Sequence, residues 1–316
     1  MTLPDTMIRI AGAPEDKVPT LSVEAAFARY EAIRARLPQA RSKAATPQAA
    51  GGLIELADRF DGFLFDSFGV LNVGETAIPG AAECLVALRR MGKQIRILTN
   101  AASYTGDAAL AKYARLGLDV RRDEIVSSRD VTFAKLHTVA ANLRWGAICA
   151  ERDGFEDAGG HRIFDLLAPN ASWDDAEGIL FLSSARWTGA LQDKLVAVLA
   201  ASPRPVVIGN PDLVAPREGG LTVEPGYWAH DLQDRTGVQP VLFGKPYADA
   251  FQIALEGLKP GRYAMIGDTL HTDILGGQAA GLETILVTDH GIFAGRSVHP
   301  YIAKSGILPD FVLTAI

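Results

Sequence analysis

What most constrains this chain is an alternation, from Gly62 onward, of short apolar runs with amphipathic helical patterns. Strands are predicted at Phe63–Phe65, Gln94–Leu98, Tyr263–Ile266 and Glu283–Val287, with helices at Ala81–Met91, Asp107–Leu116, Val131–Leu143, Tyr247–Leu258 and Asp273–Ala280. Glycines 92, 117, 257 and 281 stand where helix C-termini favour a left-handed residue. The pattern predicts an α/β fold, a doubly wound parallel sheet with helices on both faces, whose ligands gather at the carboxyl ends of the strands.

The middle third, residues 142–238, carries strands of its own at Gly178–Leu182 and Pro205–Ile208 and a helix at Ala190–Ala200, among Gly- and Pro-rich loops. It is expected to be an inserted domain between two parts of the main body, residues 53–141 and 239–316. Residues 1–52 read as an arm and a linker. In the arm, Ser22 is an N-cap candidate, Val23, Ala26, Phe27, Tyr30, Ile33 and Leu37 share one helical face, and Pro38 ends the helix. Gln39–Gly52 is small and polar, as a linker would be.

Composition narrows the function. The 316 residues include 48% hydrophobic and 22% charged residues, as in an ordinary globular protein. A net charge of −6 leaves no basic field for nucleic acid. Cys84 and Cys149 form neither a disulfide framework nor a thiolate metal pattern. No apolar run approaches the ~20 residues that span a bilayer, and the N-terminal stretch lacks the apolar segment of a secretory signal. A cytoplasmic protein with no membrane partner is expected.

The strand ends carry the chemistry. The first delivers Asp66, a candidate nucleophile or metal ligand, followed by Gly69, which would let backbone amides approach an anion. The second delivers Thr99 and Asn100, whose hydroxyl and amide can donate to phosphate oxygens. The strand Tyr263–Ile266 delivers Asp268, with Asp273 five residues on. Hard carboxylate ligands meeting at one sheet edge suit Mg2+, which keeps waters and accepts phosphate oxygens. Lys245, before a helix, would neutralise both a phosphate and the crowded acids.

This ordered set, Asp66 in LFDSFGVL, Thr99-Asn100, Gly244-Lys245-Pro246 and Gly267-Asp268 through Asp273, resembles the haloacid dehalogenase (HAD) superfamily. IPGA at Ile78–Ala81, LGLDVRRDEIVSS, and GNPD at Gly209–Asp212 are similar to its class IIA, the NagD-type and p-nitrophenyl-phosphatase-type proteins. The resemblance implies a Rossmann-like core with an inserted α/β cap of the C2 type, and Mg2+-dependent hydrolysis of a phosphate monoester through an aspartyl-phosphate. It implies Asp66 as nucleophile and metal ligand, Thr99, Asn100 and Lys245 on the phosphoryl group, and Asp268 and Asp273 at the metal. The implied substrate is a small phosphorylated metabolite. Caps of this class often dimerise in relatives, so a homodimer is a reasonable expectation.

One position departs from the family. Its phosphatases carry a second Asp two residues after the nucleophile, as acid to the leaving group and base to water, and this chain has Phe68. The Phe68 carbonyl can still serve the metal, but the ring carries no proton. Losing a positioned acid/base removes ~10²- to 10⁴-fold in rate, so slow turnover is expected. His271 is the candidate substitute, by its place between Asp268 and Asp273 and its titration range. Arg217 and Glu218 are candidates for substrate recognition, and the four tryptophans for packing. The competing expectations are a weak or inactive phosphate-ligand-binding protein and a phosphotransferase.

Overall fold

The computed structural model describes residues 19–39, 46–217 and 219–316. The first eighteen residues, which bear on the expected lack of a secretory signal, part of the expected linker, and Glu218 lie outside the described residues.

The main body is a seven-stranded sheet, parallel throughout, in the order Gln48–Ala49, Phe311–Leu313, Glu283–Val287, Tyr263–Gly267, Gly62–Phe65, Gln94–Thr99, Ile125–Ser127. The central strands are buried on both faces, as their unbroken apolar runs require. Helices cover both sides, and two apolar cores lie under them, one around Phe63, Phe65 and Leu85, the other around Leu64, Leu98 and Phe251. The α/β expectation holds. So do the four helix-ending glycines, at φ between 72° and 84°. Gln48–Ala49 corrects the linker reading, for this two-residue edge strand pairs in parallel with Phe311–Val312.

A second sheet of five parallel strands runs Val241–Leu242, Val206–Ile208, Gly178–Phe181, Arg144–Ile148, Arg162–Asp165. The strand at Val241–Leu242 lies past residue 238. Trp187 and Trp228 are buried in the core of this sheet, where Trp173 packs against them, and Trp145 is buried where the sheet meets the main body. A hairpin, Val214–Arg217 with Gly220–Val223, hangs from this part of the chain, and Thr20–Leu21 pairs with it antiparallel.

The N-terminal helix, Val23–Ala32, begins where expected, with Ser22 Oγ accepting from the Ala25 N–H. Ala26, Phe27, Tyr30 and Ile33 are buried together with Leu213 and Val214 on one side and Leu270, Ile274 and Leu275 on the other. Among the described residues no helix is long and apolar enough to cross a membrane.

Candidate active site

Strands Gly62–Phe65 and Tyr263–Gly267 are adjacent and parallel, so the residues that follow them, Asp66 and Asp268, emerge side by side. The chain after Gly267 coils through a single wide turn, Leu270–Ile274, which returns Asp273 to the same point. Gly267 makes this possible, because a Cβ there would lie 2.1 Å from the Cβ of Asp273. Oxygens of Asp66, Asp268 and Asp273 all fall within 4.8 Å of one another, and all three residues are buried.

Lys245 reaches this cluster from a turn ahead of helix Ala248–Leu255. Its ammonium donates to Asp66 Oδ1 at 2.6 Å and lies 2.7 Å from Asp273 Oδ1. The second contact is an ion pair between two groups that are both about 1% exposed. Burial opposes the charge on Lys245, but Asp273, Asp66 and Asp212 outweigh it and hold its pKa above that of a free lysine. Burial most strongly lifts Asp66, to about 7, with Lys245 opposing and Asp273 adding to the rise. Burial, Asp273 and Asp66 lift Asp268 to about 8.

Three carboxylates against one ammonium are short of positive charge. The all-oxygen donor set within 4.8 Å and the upward push on both Asp66 and Asp268 together fit a divalent cation at this point. Two backbone groups shape the same spot: Ile292 N–H donates to Asp268 Oδ2 at 2.7 Å, and Thr269 N–H to Asp273 Oδ2 at 3.1 Å.

A cleft continuous with solvent opens above the cluster, and Asp66, Phe68, Thr99, Asn100, Asp268 and Arg217 all line it. Two expected roles change in detail. The Asn100 amide nitrogen donates to Asp212 Oδ1 at 2.8 Å and to the Lys245 carbonyl at 2.9 Å, and its oxygen accepts from Lys245 N–H and Ser128 Oγ. This side chain therefore braces the lysine and is not free to donate to a phosphate. Gly69 adopts φ 80°, but its N–H donates to the Asn72 carbonyl, and the space it leaves belongs to Asp268 and Gly291 rather than to an anion.

His271 is not brought to the cleft. It is buried against the N-terminal helix, its ring stacked 4.8 Å from that of Tyr30 and its Nε2 2.5 Å from Glu31 Oε1. Residues 271 and 273 are about half a turn apart, so turning Asp273 inward turns His271 out. The expectation of a substitute acid/base at His271 is thereby corrected. Arg217 does reach the cleft, paired with buried Glu224 at 3.3 Å.

Asp212, Glu224 and Tyr104 also line the cleft, although none of them ends a strand of the main sheet and the strand-end pattern misses all three. Burial raises the pKa of Asp212 well above the carboxylate range, against the pull of Lys245. GNPD is the signal for Asp212, whose side chain meets Asn100 across 112 residues of sequence.

An acidic cluster facing a buried lysine at the carboxyl edge of a parallel sheet defines a class of α/β enzyme built to handle phosphoryl groups. A family model described as haloacid dehalogenase-like hydrolase matches residues 63–157, and a second, HAD-hydrolase-like, matches residues 242–314. Human glycerol-3-phosphate phosphatase is 30% identical over 300 residues, spanning 83% of this chain and 90% of that protein. Bovine chronophin is 28% identical over 289 residues, spanning 84% and 93%. The solved p-nitrophenyl phosphatase of Archaeoglobus fulgidus superposes with a TM-score of 0.67 at 27% identity, over 81% of this chain and 96% of that one. The chain belongs to the haloacid dehalogenase-like hydrolases, in class IIA, and is a HAD-type phosphoric monoester hydrolase.

Proposed function

We propose that this protein is a Mg2+-dependent phosphatase of a small phosphorylated metabolite, working through an aspartyl-phosphate on Asp66 and slowed by Phe68. The observation that carries the proposal is the meeting of Asp66, Asp268 and Asp273 within 4.8 Å, with the Lys245 ammonium on Asp66. The phosphatase relatives support it.

Asp66 and Asp268, with Asp273 beside them and the Phe68 carbonyl, are the groups proposed to hold the metal. When bound, Mg2+ supplies charge neutralisation for the carboxylates and the phosphoryl oxygens. The chain does the rest. Lys245 screens the approach of a phosphate dianion to a carboxylate, and the Thr99 hydroxyl stands in the same cleft as a donor to the phosphoryl oxygens. Asp66 Oδ attacks phosphorus and the ester oxygen leaves with the bonding pair. Water then attacks the acyl phosphate, releasing inorganic phosphate and restoring the Asp66 carboxylate.

Both steps call for a proton relay at position 68, and a phenyl ring gives none. The same ring favours a second reading, a protein that binds phosphorylated ligands and turns them over weakly. A panel of phosphate esters, assayed with and without Mg2+ on the wild type and Asp66→Asn, tests both. Metal-dependent hydrolysis lost in Asp66→Asn is expected; binding without hydrolysis in both would leave the second reading standing.

A further inference from the structure

The N-terminal helix takes no part in the mechanism above, yet it touches both loops that build the site. The Tyr30 hydroxyl accepts a hydrogen bond from the Leu213 N–H at 3.1 Å. Leu213 follows Asp212, which accepts from Asn100, and Asn100 in turn accepts from the Lys245 N–H at 2.7 Å. The Tyr30 ring lies 7° from parallel with that of His271, which sits between Asp268 and Asp273.

We infer that Tyr30 is a positioning residue of the active site, whose hydroxyl sets the Asp212 loop in register with the Asp268–Asp273 loop. The helix that carries it is tied to both bodies. On one side Arg29 and Arg36 pair with Asp234, and Thr20–Leu21 extends the hairpin that follows Leu213. On the other, Glu24 pairs with Arg296, and Phe27 meets His271 edge-on at 5.4 Å. Tyr30 is 2% exposed, so no water replaces its hydroxyl at the Leu213 N–H without repacking. Burial, and then the charges of Asp212, Asp273 and Asp268, raise its pKa well above the tyrosine range, which places the phenol within the field of the site.

The inference rests on the phosphatase reading, and its test separates the two. Tyr30→Phe keeps the ring on His271 and removes only the hydroxyl. Phe27→Leu weakens the same helix and leaves that hydrogen bond in place. With p-nitrophenyl phosphate and Mg2+ on the full chain, Tyr30→Phe is expected to lower kcat about tenfold with KM changed less than about twofold, in the range that small misplacements of reacting groups produce. It should weaken binding of orthovanadate, which mimics five-coordinate phosphorus, about tenfold as well. Phe27→Leu should lower the melting temperature at least as far and leave kcat within about twofold. An active wild type whose Tyr30→Phe variant keeps full kcat and vanadate affinity overturns this inference alone, as does loss of kcat in both variants in proportion to their melting temperatures. A wild type that neither turns over nor binds vanadate overturns the phosphatase reading and this inference with it.

Discussion

The guanidinium of Arg217, on the hairpin, lies over the ring of Phe68, on the loop after Asp66, 4.8 Å from its centroid. The Lys112 ammonium lies 4.4 Å from the same centroid. The Phe68 ring thus joins the hairpin to the main body through Arg217 and is held within the main body by Lys112, each contact worth about 0.5–2 kcal/mol.

Phe68→Asp places a carboxylate between those cations, which favour its ionised form and make it a weaker acid catalyst. The expected gain on an alkyl phosphate is about tenfold, short of the ~10²- to 10⁴-fold that a well-tuned acid/base supplies. The gain on p-nitrophenyl phosphate, whose phenolate leaves unprotonated, should be smaller. Steady-state kinetics on both esters decide the matter, and equal gains would reject a missing leaving-group proton as the defect.

If water is also poorly activated, the wild type should accumulate phosphate on Asp66. Acid quenching within the first turnover, followed by intact mass measurement, should show one covalent phosphate, absent from Asp66→Asn. A wild type free of covalent phosphate under turnover would place the slow step before transfer.

Mg2+ should raise the thermal midpoint of the wild type by binding only the folded acid cluster. Asp268→Asn removes one ligand and one excess charge, and should abolish most of that rise while leaving the metal-free midpoint unchanged or higher. Calorimetry with and without Mg2+ checks this. An undiminished rise in the variant would move the metal elsewhere.

Gly267→Ala should cost nearly all activity. Its methyl would meet the Asp273 Cβ at 2.1 Å, where real contacts never come. The turn must shift and take the carboxylate away from Lys245. Core overpacking of this kind costs ~1–3 kcal/mol. A variant that keeps more than about half of the wild-type activity and melts within about 2 °C of it would contradict the cramped geometry.

His230 sets an acid-side dependence of stability. Burial, followed by Arg36 and Arg29, lowers its pKa to about 4 from the ordinary 6.5. Between those values the unfolded chain binds the proton and the folded one does not. Stability from this group is therefore complete above about pH 6.5 and falls away as the pH drops toward 4, by at most ~1.4 kcal/mol per pH unit. Thermal melts from pH 7 to 4.5 should fall less steeply in His230→Gln than in the wild type, and parallel curves would remove His230 as the cause.

The strand ends are legible in the sequence because a buried parallel strand is a local signal, an apolar run that stops at a polar residue. Asp66, Thr99 and Asp268 stand out in that way, and Lys245 meets Asp66 across 179 positions. The Gln48–Ala49 strand is illegible, since two residues show no periodicity. His271 misleads because closeness in sequence to Asp273 says nothing of direction around a turn. The contact of Tyr30 with Leu213 depends on the docking of an entire helix across 183 residues, and no pattern within the helix encodes its partner.

The outermost strand of the second sheet, Val241–Leu242, ends three residues before Lys245. That leaves about 10 Å of extended chain between them, much of it taken up by the bend at Gly244, φ 130°. Any shift of that strand is therefore passed along the covalent chain to the residue that carries the ammonium.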